Sequence, residues 1–238
     1  MGASVLVGSV GGLALAGAFL LATHFGVSST RLRPLLVDRI GVNAYLSLYS
    51  LVSAVAFAWL VAAYGGVPYV KLWDWAPWQG WAPLLLMPVA LLLVIGGLTV
   101  RSPTSVGQEK ALHTAEPARG LLRVTRHPFL WGVTIWAAAH LPPNGDVGSL
   151  IFFGTLGALG LVGAMLIDGK RRAALGLDWE RFEESTSFVP FAAVVRGQQS
   201  LARAAAEFGL IRLAAVAVLY GLILHLHPVL FGVPAIPR

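Results

Sequence analysis

Six stretches of this chain contain no Asp, Glu, Lys or Arg: residues 1–30, 40–70, 75–100, 127–145, 147–167 and 213–237. All 17 basic and 11 acidic side chains of the 238-residue sequence lie between or beside these runs. A helix crosses a hydrocarbon core about 30 Å thick with roughly 20 apolar residues, and each run is close to or above that length. Continuous apolar runs without period-two alternation read as helices rather than barrel strands. The sequence therefore predicts an all-α integral membrane protein of six transmembrane helices in one bundle. They are expected at about residues 4–27, 43–64, 81–100, 128–141, 147–167 and 210–230. Soluble enzymes, secreted disulfide scaffolds and nucleic-acid-binding domains are excluded on this ground.

The cations then orient the bundle. With six spans, Arg31, Arg33, Arg39, Arg101, Lys110, Arg119, Arg123, Arg126, Lys170, Arg171, Arg172, Arg181, Arg196 and Arg203 fall on one side. Lys71 and Arg238 fall on the other, and Arg212 begins the last helix. Basic loops stay in the cytoplasm, so both termini are expected outside it, in a bacterial inner membrane. The net charge of +6 is explained by this topology, and no nucleic-acid partner is required. Residues 1–30 carry no charge and so lack the positive n-region of a cleavable signal; the first run is read as a retained helix. Trp73, Trp75, Trp78 and Trp81 form an aromatic belt at the outer interface, and Pro142, Pro143, Asn144 and Gly145 make a tight outer turn. On the basic side, residues 178–184 read as a short acidic, aromatic helix and residues 197–207 as an amphipathic interfacial one. Arg203 and Glu207, four apart, fit a solvated helix face as well as a site.

Ionisable or ligating groups near a membrane span are functional candidates, and here they are mostly histidines. The chain has no Cys, so thiolate ligands and iron–sulfur clusters are excluded; imidazole pairs suit haem iron, zinc or copper. His24 and His127 are expected near the basic face, and His140, His225 and His227 near the opposite one. Each fits a plain interfacial side chain as well as a ligand. The densest cluster runs Arg123-Val124-Thr125-Arg126-His127-Pro128, with Pro128 suited to a first helical turn. Its arginines are placed to bind an anionic group or simply to anchor the helix start. Residues 179–190 flank the same side with opposite charge and are expected in contact with Arg126 and His127, within a Debye length of roughly 8–10 Å.

Residues 123–141 (RVTRHPFLWGVTIWAAAHL), Asn144-Gly145-Asp146 and residues 186–199 (TSFVPFAAVVRGQQ) resemble the core of the NnrU family. Plant and cyanobacterial 15-cis-zeta-carotene isomerases share both blocks. His24 closing an apolar helix, Arg31 and Arg33 after it, Tyr49–Ser53, and His227-Pro228-Val229-Leu230-Phe231-Gly232 also fit the family pattern. The resemblance implies one domain over residues 1–238, with its core at 3–200 and an additional C-terminal helix at about 210–230. It further implies haem b as cofactor, with His24 and His140 as metal ligands. Depth alone offers local pairs instead, His24 with His127 or His140 with His225 or His227, of which His227 is the best substitute, and Arg126 is a cofactor-binding candidate by its charge. The reaction implied is cis–trans isomerisation of a hydrophobic polyene, without net redox change; NnrU proteins themselves are associated with denitrification. Ala137 stands where the isomerases carry a cysteine, and residues 158–165 lack their later histidines. A shorter likeness, Arg126–Gly132 followed by residues 180–190, is to membrane methyltransferases that use S-adenosylmethionine. A third reading is a non-enzymatic factor for nitrite or nitric oxide reductases. Beyond the lipid bilayer, the partner implied is a hydrophobic small molecule.

Geometry strains the transferred ligand pair. The predicted topology sets His24 and His140 on opposite faces, and the 13 residues from His127 to His140 rise about 20 Å. Two imidazoles on one iron span roughly 12 Å between backbones. Topology itself is directly testable: reporter fusions at Lys110 and at Arg172 should both give a cytoplasmic signal, and a periplasmic signal at either would remove the predicted orientation.

Overall fold

A computed structural model describes residues 2–236, and every regular element in them is helical. Arg238, counted above among the outer cations, lies outside the described residues. The order is α1 (Gly2–Val7), α2 (Val10–Leu21), α3 (Leu32–Ile40), α4 (Val42–Gly66), α5 (Trp81–Thr99), α6 (Pro128–His140), α7 (Val147–Leu175), α8 (Leu177–Ser185), α9 (Ala192–Val195), α10 (Leu201–Phe208) and α11 (Leu210–Phe231). A π-helical segment, Ala22–Val27, continues α2, and a 3-10 turn, Pro77–Gly80, leads into α5.

Five segments are long and apolar enough to cross a bilayer: Val10–Val27, Val42–Gly66, Pro77–Thr99, Val147–Leu175 and Leu210–Phe231. The remaining expected span, residues 128–141, folds where the sequence places it but as the 13-residue α6. That is about 20 Å of helix, shorter than a hydrocarbon core. Pro128 at its first position sets the start, and Pro142 and Pro143, which cannot continue a helix, set the end. Conversely, α7 runs eight residues past the expected end of its apolar run. Lys170, Arg171 and Arg172 are good helix formers, so the helix leaves the apolar zone and stops only at Gly176, whose φ is +51°. The loop expected after the first span also folds, as α3.

Close approach of backbones holds the bundle, as small residues allow in membranes. A Cβ on Gly97 would lie 2.5 Å from the Phe129 nitrogen, and one on Gly132 would lie 2.6 Å from Val94 Cγ2 and 2.8 Å from the Ala90 oxygen. These contacts make α5 and α6 antiparallel. Gly160 meets Leu130 and Thr134 in the same way, so α7 runs antiparallel to α6. Gly17 of α2 faces Thr155, and Leu13 reaches Gly148, so α2 runs parallel to α7. The seam buries Leu13, Leu20, Ala56, Leu60, Ala137 and Leu156.

Both ends of the bundle are tied. At the tryptophan-rich end, Leu72 N–H donates to the Gly145 carbonyl (2.8 Å), Val147 N–H to Val70 (2.9 Å), and Trp73 Nε1 to Pro142 (3.0 Å). Asp146 caps α7 by accepting from Ser149 N–H at 2.9 Å. Gly132→Val should cost about 1–3 kcal/mol through overpacking, whereas Gly154→Ala, with open space around it, should be neutral or stabilising by up to about 1 kcal/mol. Thermal unfolding in detergent separates the two, and equal midpoints would remove the close-approach argument.

Candidate functional site

Two groups of candidate side chains stand at opposite ends of α6. At its start, Pro128 fixes the first turn and leaves Arg126 and His127 in the chain entering it. Both turn toward Asp168 on α7. Arg126 donates through Nε to Asp168 Oδ2 (2.8 Å), its Nη2 lies 2.6 Å from the same oxygen, and Nη2 also reaches Glu183 Oε1 on α8 (2.9 Å). His127 Nε2 lies 2.6 Å from Asp168 Oδ1, with the imidazole fully enclosed. His127 Nδ1 is buried without a hydrogen-bond partner among the described residues. The ring stands edge-on to Phe188 at 5.8 Å.

The expected contact with residues 179–190 is present in detail. Arg126 N–H donates to the Ser187 carbonyl (2.9 Å), Thr125 Oγ1 and Trp131 Nε1 both donate to Phe188 O (2.7 and 2.8 Å), and Phe191 N–H donates to Val124 O (2.8 Å). The segment is a strap bonded along its length to the start of α6. Arg172 closes the network on Glu183 at 2.7 Å.

A second ion cluster sits beside it. Arg123, only 6% exposed in its side chain, donates from Nη2 to Glu207 (2.7 Å) and Glu116 (2.7 Å), and from Nη1 to Gln199 (2.8 Å). Arg203 pairs with Glu116 at 2.8 Å. Glu207 thus faces Arg123 across the fold, and the four-residue spacing to Arg203 is not used as a pair. The Arg123 guanidinium holds the Glu207 carboxyl down at about 2, against an ordinary value of 4.5.

At the far end of α6, His140 donates its Nδ1 hydrogen to the Trp136 carbonyl at 2.8 Å. Its ring stacks on Phe153 (5.3 Å, 20°) and is tilted against Trp136 (5.4 Å). Tyr64 stacks on Phe152 at 4.3 Å, and its hydroxyl meets Ser149 Oγ at 2.9 Å. Ser149 gives its single hydrogen to Asp146 Oδ2 (2.5 Å), so Tyr64 is the donor to Ser149. His24 lies in the π-helical segment and repeats the local pattern: Nδ1 to the Leu20 carbonyl at 2.8 Å, with the ring against Tyr49 (5.5 Å). His227 bonds the Val233 carbonyl through Nδ1 (2.7 Å) and leans on Phe231 (4.8 Å).

The fold therefore joins Arg126 with His127, but separates His24 from His140. His140 sits at the level of Phe153, and Gly17 at the level of Thr155. His24 follows seven residues later, so the two imidazoles differ by about 14 Å in depth at 1.5 Å per residue, before any lateral offset. Sequence reasoning placed Glu183 in the segment facing Arg126 but missed Asp168, Tyr64 and Ser149 as partners. The signal for Asp168 was its place: it is the first charge after a 21-residue apolar run, on the same side as Arg126.

The family model described as NnrU protein matches residues 12–235. The chain belongs to the NnrU family. Among curated proteins, this NnrU chain is similar to the 15-cis-zeta-carotene isomerase, chloroplastic, of Arabidopsis thaliana, with 36% identity over 87 residues, 34% of this chain and 22% of that protein. The Zea mays protein of the same name is 34% identical over 84 residues, again 34% of this chain and 22% of its own length. The chain thus matches about a fifth of the length of these relatives. No solved structure matches it.

Two outcomes follow from the ion clusters. Asp168→Ala should cost about 3–5 kcal/mol, because it leaves the buried Arg126 with Glu183 alone and the enclosed His127 ring with no partner; a change under about 1 kcal/mol in detergent unfolding would deny Asp168 that role. The Glu207 carboxyl is depressed in the folded state, so its contribution is fully present above about 4.5 and lost as pH falls toward about 2. Stability measured across that window should drop in the parent protein and drop less in Glu207→Gln.

Proposed function

We propose that this NnrU chain is an isomerase-like membrane protein that holds haem b through His140 and acts on a hydrophobic polyene. The observation that carries the reading is the fixed tautomer of His140. Its Nδ1–H is spent on the Trp136 carbonyl, which leaves Nε2 with the lone pair that a ligating imidazole requires. The surrounding rings of Trp136, Phe152 and Phe153 are suited to flat conjugated molecules. His24 has the same tautomer and is the second ligand candidate, at its own depth; Arg126 and His127 are engaged with protein carboxylates and serve to position the start of α6. Held by His140, a haem would supply the iron centre for the isomerisation. The chain's own contribution there is binding and orientation by the aromatic walls, with a proton held along Tyr64, Ser149 and Asp146.

In the proposed topology α6 completes a sixth crossing, with both termini outside and the basic loops in the cytoplasm of a bacterial cell. The antiparallel packing of α5, α6 and α7 supports that path, as does the division of cations between the two sides. Full-length protein purified from a haem-replete host should show a Soret band that shifts on reduction. His140→Ala should lose it. Full Soret absorbance in His140→Ala would overturn the ligand assignment, and among the other histidines loss in His24→Ala or in His227→Ala would identify the second ligand.

A further inference from the structure

An apolar groove of about 570 Å³ lies away from both histidine sites, between α5, α10 and α11. Its walls are side chains such as Leu92, Leu93, Val124, Phe208 and Leu213. No charged side chain lines it. Depth can be read along α5, which ends at Thr99 on the basic side. Leu92 and Val89 lie seven and ten residues before that end, so the groove reaches about 10–15 Å below the helix terminus at 1.5 Å per residue. Half of a hydrocarbon core about 30 Å thick is the same depth. The groove therefore spans one leaflet.

Its upper end carries a cation. Arg212, in the first turn of α11, donates through Nη1 to the carbonyls of Phe208 (2.8 Å) and Glu207 (3.3 Å). Its Nε and Nη2 have no hydrogen-bond partner among the described residues. Arg212 is thus pinned over the last turn of α10, next to the groove-lining Phe208 and Gly209, with donors to spare. Phe191 also lines the groove and has a φ of +67°, the one positive value outside glycine among the described residues. A bulky side chain in the left-handed region is unfavourable. The hydrogen bond from Phe191 N–H to Val124 O holds it there, with the ring on the groove wall.

We propose that this groove seats one acyl chain of an anionic phospholipid, with its phosphate taken by the free donors of Arg212. Charge selects the headgroup, and the leaflet-deep apolar wall selects the chain. The site is independent of haem. Native mass spectrometry of the full chain in detergent, with phosphatidylglycerol or phosphatidylcholine added at equal concentration, tests it. One retained phosphatidylglycerol per chain is expected, favoured about fivefold over phosphatidylcholine, the ratio given by roughly 1 kcal/mol of attraction between a surface cation and an anionic lipid. Arg212→Gln should bring the two lipids to parity. Ala205→Trp fills the groove from an exposed position of α10 and should lose both, with the unfolding midpoint unchanged. Equal retention of the two lipids by the parent protein, a preference that survives Arg212→Gln, or undiminished retention in Ala205→Trp would each overturn the proposal.

Discussion

The architecture turns on one carboxylate. Asp168 sits on α7 with its side chain 8% exposed, and accepts from Arg126 on one oxygen and His127 on the other. Alone in that position it would be prohibitively costly to ionise. With Arg126 and the Glu183–Arg172 pair it forms a chain of alternating charges, and the desolvation is offset by short, directional bonds. The partners lie 41 and 42 residues away in sequence. Satisfying this carboxylate fixes where α6 starts, and with it the strap at residues 186–191 that hydrogen-bonds to that start. The depth of His140 follows, because α6 is a rigid rod of 13 residues between the two ends.

The fold was legible in the sequence to the extent that bilayer physics leaves few choices. An apolar run with no water to satisfy its backbone must be helical, so the positions of all six helical stretches could be read directly. Lengths were less legible. A run-length criterion marks where side chains leave the hydrocarbon, whereas a helix stops where its backbone must turn. Hence α7 continues to Gly176, and α6 is short of a full crossing. The 126–127 contact with residues 179–190 was legible from side and charge alone. Its register, with Phe188 O accepting from both Thr125 and Trp131, was not, because it depends on three-dimensional packing.

Ion pairing shows the same boundary. Arg203 and Glu207 satisfy the local helix rule, yet each takes a partner from elsewhere: Glu116 for one and Arg123 for the other. Arg123 is nearly buried, and a buried guanidinium demands complete pairing while an exposed one gains little from any neighbour. The stronger demand decides the geometry. His24 and His140 show the converse. Their separation in depth was already visible from topology, and the fold keeps it, because α2 runs parallel to α7 as that topology requires and carries His24 well past the level of Phe153.

The shortness of α6 has an electrical consequence. Polar groups stand at both of its ends, Arg126 and Asp168 at one and Asn144 and Asp146 at the other, about 20 Å apart along the helix instead of the roughly 30 Å of the surrounding hydrocarbon. A membrane potential falls across whatever insulator separates the two aqueous phases. In the proposed six-span topology that insulator would be thinned by about a third along α6, and the local field would be about half as strong again as in the bulk bilayer. A charge displaced near His140 or the Tyr64–Ser149–Asp146 chain would then move in this steeper field, and its energetics would follow the energised state of the membrane.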